Sequence, residues 1–138
     1  MGRVVNTESN GKQRNQLRRT IAEMLRHLSQ KSTIDDEAKD MLATIVLCLR
    51  QINDGIDEST VAWEKRDYWL KAENFRREWQ WVTEIESKLT ATLRTEDWDA
   101  IPDLMLRLFP HFSDINVTKF TREAEIWQHN YFKFSLRD

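Results

Sequence analysis

Apolar residues recur along this chain in alternating steps of four and three, the spacing that gathers side chains on one face of a helix. Leu17, Ile21, Met24 and Leu28 make the first such stripe, with Arg14, Arg18, Arg19 and Arg26 lying off it. It predicts an amphipathic helix over about 13–30. A second, more aliphatic stripe runs through Ala38, Leu42, Ile45, Leu49, Ile52 and Ile56, and predicts a helix over about 34–54 at the centre of the core. Ser32 or Thr33 is its expected cap, and Asp35, Asp36 and Glu37 suit its positive end. Asn53-Asp54-Gly55 reads as a helix stop, with Gly55 in the left-handed position and Asp57 or Ser59 capping the next helix.

The longest stripe is Tyr68, Ala72, Phe75, Trp79, Val82, Glu86, Leu89 and Leu93, interrupted only at Glu86, where Ile85 supplies an apolar neighbour. It predicts a helix over about 58–94, and the stretch from Trp63 to Leu93 holds four of the six tryptophans. One continuous helix from Ile34 to Leu93 is the rival, because Ile56, Ser59 and Trp63 keep the earlier spacing. The step from Trp63 to Tyr68 breaks register, which favours two antiparallel helices joined near Gly55.

Beyond a polar corner at 94–97, Trp98, Ile101, Leu104, Met105 and Leu108 predict a short helix from near Asp99 to before Pro110. Pro102 is tolerated in its first turn. Residues 111–117 read as a loop and Thr121 to Tyr131 as a second short helix. The alternation of Phe132, Phe134 and Leu136 reads as an extended tail or strand, with Ile115 and Val117 as pairing partners. Residues 1–12 read as a polar lead-in with a turn at Asn10-Gly11 and a docking contact at Val4-Val5. The expectation is therefore all-α: an antiparallel bundle of three long helices, two shorter C-terminal helices and an extended C-terminal tail. Residues 13–138 form its single domain.

Composition narrows this reading. Only three glycines and two prolines interrupt 138 residues, too few for a turn-rich sandwich, barrel or nucleotide-binding sheet. No apolar run reaches the roughly 18 residues of a membrane helix, and no apolar signal core opens the chain. Cys48 stands alone, without an intramolecular disulfide partner. A cytoplasmic protein without membrane attachment is expected. Met1-Gly2 lacks the Ser or Thr of a myristoylation start, since Asn6 stands there.

Charge divides the chain. Residues 1–31 carry seven Lys or Arg against Glu8 and Glu23, whereas residues 32–138 carry fourteen against twenty-one acids. The basic segment makes Arg14, Arg18, Arg19 and Arg26 the candidate nucleic-acid contacts. The acidic remainder repels a phosphate backbone, so nucleic acid is the less favoured partner.

Catalytic signatures fail. There is no glycine-rich phosphate loop, a lone cysteine excludes a cysteine zinc site, and Glu23–His27 and Glu125–His129 have the wrong spacing for a bundle di-metal site. His111-Phe112-Ser113-Asp114 contains triad residue types in a turn, without triad geometry. No catalytic residue, metal or cofactor is assigned. The candidate ligand or partner site lies on the aromatic stretch: Glu64, Asp67, Tyr68, Trp69, Lys71, Phe75, Glu78 and Trp79. Asp67 and Lys71 are expected to pair at i,i+4 on one helix. Trp69 points off the stripe, towards a partner or under the C-terminal tail. The expected role is an interaction, adaptor or regulatory module that forms a homo-oligomer or binds another protein. A nucleic-acid binder and a ligand-binding or enzymatic bundle are the alternatives.

Overall fold

The stripes form helices, but the breaks between them fall elsewhere than Gly55. The computed structural model describes residues 7–137; Met1-Gly2 and the Val4-Val5 contact lie outside the described residues. The elements are α1 (Thr7–Ser29), α2 (Asp36–Lys65), α3 (Trp69–Thr95), α4 (Ile101–Leu108) and α5 (Asn130–Arg137), with single 3-10 turns at Trp98–Ala100, Phe109–Phe112 and Ala124–Ile126. The fold is all-α. The central helix is α2, which packs against α1, α3 and α5.

Gly55 sits inside α2, not at its end. Its interior placement costs about 1 kcal/mol in helix propensity, yet burial of Ile52, Ile56, Ser59 and Thr60 carries the helix across it. Asp57 and Ser59 are accordingly mid-helix residues rather than caps. Neither the break near Gly55 nor one helix from Ile34 to Leu93 is correct. The helix stops at the register break between Trp63 and Tyr68, where Asp67 adopts φ 61°. The Asp67 N–H donates to the Glu64 carbonyl (3.0 Å) and the Tyr68 N–H to the Trp63 carbonyl (2.9 Å). That pair of bonds is a Schellman stop, made without glycine because Asp tolerates the left-handed region better than most residues. Glu96 (φ 54°) ends α3 in the same way, with the Asp97 N–H on the Thr92 carbonyl at 3.1 Å.

The starts shift too. α1 runs through Asn10-Gly11, where a turn was expected. Asn10 Nδ2 donates to the Gly55 carbonyl (3.4 Å) and the Ser59 hydroxyl (3.3 Å), anchoring this end of α1 to α2. The cap of α2 is Asp35, whose carboxylate accepts from the Ala38 N–H at 2.8 Å, rather than Ser32 or Thr33. Pro102 lies in the first turn of α4, as its geometry requires.

The C-terminal tail is helical, a correction to the extended reading. Phe132 and Leu136 are exposed, so their alternation with Phe134 reports no buried strand face. The contacts that matter are Tyr131 and Phe134, three apart on α5 and packed on the core. The Asp40 carboxylate accepts the His129 N–H (3.2 Å) and the Tyr131 N–H (3.0 Å), satisfying donors at the start of α5 from a residue of α2. The segment Thr121 to Tyr131 is not one helix: it holds the 3-10 turn at Ala124–Ile126, the buried Trp127 and, at its end, the first two residues of α5. Ile115 and Val117 pack against the core, and no strand occurs among the described residues.

Candidate functional site

Two surfaces contain the residues singled out from the sequence, and they are built in opposite ways. The first is the outer face of α1. Residues 20–25 are all buried, Glu23 completely. Its Oε1 accepts the Thr121 N–H (2.7 Å) and the Arg122 N–H (2.9 Å), while Oε2 accepts the Thr121 hydroxyl (2.5 Å) and Arg19 Nε (2.8 Å). Burial pushes this carboxyl up, but those donors, Thr121 and Arg19 foremost, outweigh it and bring the pKa down to about 2. Glu23 is a latch holding residues 121–122 against α1.

The arginines of α1 serve the same wrap. Arg18 makes a forked pair with Asp114 (2.7 and 3.1 Å) and donates to the His111 carbonyl at 2.8 Å. Arg19 also reaches the carbonyls of Asn116 (3.3 Å) and Lys119 (2.9 Å). Arg14 lies 5.1 Å from the ring centroids of both Phe75 and Trp79, a cation stacked between α1 and α3. Arg26 alone of the four candidate nucleic-acid contacts is exposed. His27 faces the same segment, stacked on Phe120 at 3.7 Å, and burial pushes its pKa down. Within the His111–Asp114 run, His111 stacks flat on Trp81 at 3.7 Å and Asp114 is taken by Arg18.

The second surface is the corner between α2 and α3. Asp67 lies in the turn, so it and Lys71 do not form the i,i+4 helical pair expected of them. Glu64, on α2, pairs with Arg76 of α3. The Lys71 ammonium lies 4.5 Å from the Trp63 ring centroid, and the Phe75 ring meets Trp63 edge-on at 4.9 Å and Trp79 at 6.3 Å. Trp63, Leu70, Lys71, Asn74, Phe75 and Glu78 line one shallow groove. The turn therefore lays Trp63 of α2 against Lys71, Phe75 and Glu78 of α3, and leaves Tyr68 and Trp69 outside the groove, on the corner.

That corner is apolar and bare. Tyr68 is 53% exposed, Trp69 59% and Leu70 71%. The C-terminal tail does not cover Trp69, because α5 packs on α2 through Tyr131 and Phe134 instead. Charges of both signs neighbour it in the chain: Lys65, Arg66, Lys71, Arg76 and Arg77 against Glu64, Asp67, Glu73 and Glu78, with Arg76 paired to Glu64 and Arg77 to Glu73. Sequence reading missed Leu70, and the available signal was its position directly after an off-stripe tryptophan.

Chemistry is sparse elsewhere. Burial pushes the Cys48 thiol up to about 12, so it stays protonated. No group of three or more His, Cys, Asp or Glu side chains among the described residues is arranged to hold a metal ion. No helix of the described residues is long and apolar enough to cross a membrane. Compared with known proteins, the chain matches no family model, no curated protein and no solved structure.

Proposed function

We propose that this chain is a protein–protein interaction module of the adaptor or regulatory kind, and that it self-associates through the α2–α3 corner. The observation that carries this reading is the run Tyr68-Trp69-Leu70, three large side chains exposed side by side at a turn. Tyr and Trp are the residues that dominate binding energy at protein interfaces. A second copy fits because the surrounding charges are of both signs. A two-fold contact brings the patch against itself, and a single-sign rim would repel its own image. The arginines that suggested nucleic acid support this choice indirectly, since Arg14, Arg18 and Arg19 are engaged within the fold.

Size-exclusion chromatography with light scattering tests the proposal. The 16.6 kDa chain is expected to elute with a mass near twice its own, falling to the monomer value in Trp69→Ala/Leu70→Ala with an unchanged circular dichroism spectrum. A monomer at all concentrations, or a dimer indifferent to the double substitution, overturns it.

A further inference from the structure

At the other end of the bundle a cavity of about 490 Å³ opens between the last turn of α1, the α1–α2 loop and α4. Its size falls in the range of small-molecule sites, roughly 300–1,000 Å³. The walls are Leu25, Leu28, Ile34, Trp98, Ile101 and Met105, and the mouth is marked by Leu106, exposed at 67%, and Phe109 at 41%. One wall is fixed before any ligand arrives. Lys39 lies 5.0 Å from the Trp98 ring centroid and Tyr131 packs edge-on against it at 5.9 Å, so the indole is held from α2 and α5.

The polar lining selects the ligand class. Ser29 at the end of α1 and Ser32 and Thr33 in the loop are its uncharged polar lining, and the Ser29 hydroxyl already donates to the Arg26 carbonyl at 2.6 Å. Lys31, the one cation lining it among the described residues, is already neutralised by Asp35 Oδ2 at 3.1 Å and Glu37 Oε1 at 2.8 Å. An anionic ligand would have to take Lys31 from two carboxylates, and a cationic one would meet Lys31 without a lining carboxylate of its own. We infer that the cavity between α1, the α1–α2 loop and α4 is a binding site for a small uncharged molecule, apolar over most of its length and carrying one hydroxyl or carbonyl at its loop end.

The neutral fluorophore N-phenyl-1-naphthylamine, titrated into the full chain, provides the test. Saturable enhancement at one site per chain is expected. 1-Decanol should displace the probe, and decanoate, with a charged head on a tail of the same length, should do so at least about tenfold less well, the ratio that 1.4 kcal/mol represents. Thr33→Trp places an indole in the loop wall and should weaken the probe by a similar factor. Leu106→Arg puts a charge at the mouth, on an exposed position where folding is not at stake, and should act likewise. Absence of saturable enhancement overturns the site. Undiminished binding in folded Thr33→Trp and Leu106→Arg places the probe elsewhere and equally overturns it. Equal displacement by decanoate overturns the uncharged class.

Discussion

The outer face of α1 and the α2–α3 corner invert what their residue types suggest. Arginines and a glutamate, ordinarily solvated, are drawn inward on α1. Tyr68, Trp69 and Leu70, ordinarily core residues, stand out at the corner. The difference lies in what the chain lays over each surface. Residues 111–122 return across α1, and their backbone N–H and C=O groups, stripped of water, need partners. Glu23, Arg18 and Arg19 supply them. At the corner, Tyr68, Trp69 and Leu70 find no such cover among the described residues. Exposure of this kind is informative because a large apolar cluster at a protein surface marks an interaction site more often than an isolated one does.

The largest effect should come from unpairing the latch. Glu23→Gln keeps the volume but presents an amide to donors at both oxygens, and Glu23→Ala leaves them all buried. Each should cost about 3 kcal/mol, the usual penalty for disrupting a buried charged network, read from urea unfolding midpoints. The pH dependence has a definite sign. Glu23 is depressed from 4.5 to about 2 in the folded chain. Its contribution, about 3 kcal/mol at 1.36 kcal/mol per unit, is therefore complete above pH 4.5 and fades as pH falls towards 2. Wild type should lose this stability between pH 4.5 and 2, and Glu23→Gln should show a flatter profile there.

At the corner the expectation is reversed. Trp69→Ala/Leu70→Ala should weaken self-association by more than about tenfold, while urea unfolding of the monomer moves by no more than about 0.5 kcal/mol, as for other exposed positions. If the double variant unfolds as readily as Glu23→Ala, the corner is core and not interface.

Smaller effects are expected within α2 and at the rim of α1. Gly55→Ala should stabilise the chain by about 0.5–1 kcal/mol, because a Cβ built there meets nothing within 4 Å and the residue has no positive φ. Loss of stability in a thermal melt would restore Gly55 as a helix stop. Asp114→Asn should be the mildest, near 0.5 kcal/mol, since its ion pair with Arg18 is 64% exposed on the acid's side.

How much of this was legible in the chain itself depends on the range of the interactions. The seams of α1, α2 and α3 are local, repeat over several turns, and read directly. Gly55 misled because a glycine's cost of about 1 kcal/mol is smaller than the burial of four neighbouring side chains. The truer signal was the register slip between Trp63 and Tyr68. The C-terminal tail misled because Phe132 and Leu136 are exposed, and the Asp40 carboxylate that starts α5 lies far away in sequence. Glu23 was invisible for the same reason, with its partners 98 and 99 residues downstream. The one hint was compositional: 20–25, Thr-Ile-Ala-Glu-Met-Leu, contains a single charge, unusual for a helix with a free outer face. Of the candidate site, the aromatic identity of the corner could be read from sequence; its division between two helices could not.

Hydroxyl-radical footprinting across a dilution series measures the contrast most directly, because it reads exposure and association in one experiment. Trp127, 6% exposed within the fold, should react slowly at every concentration. Trp69 and Tyr68 should react fast in dilute solution and become protected as the protein is concentrated, in step with the rise in mass. Trp69 equally reactive at all concentrations, or slow in the dilute monomer, would contradict the assignment of the corner as the self-association face.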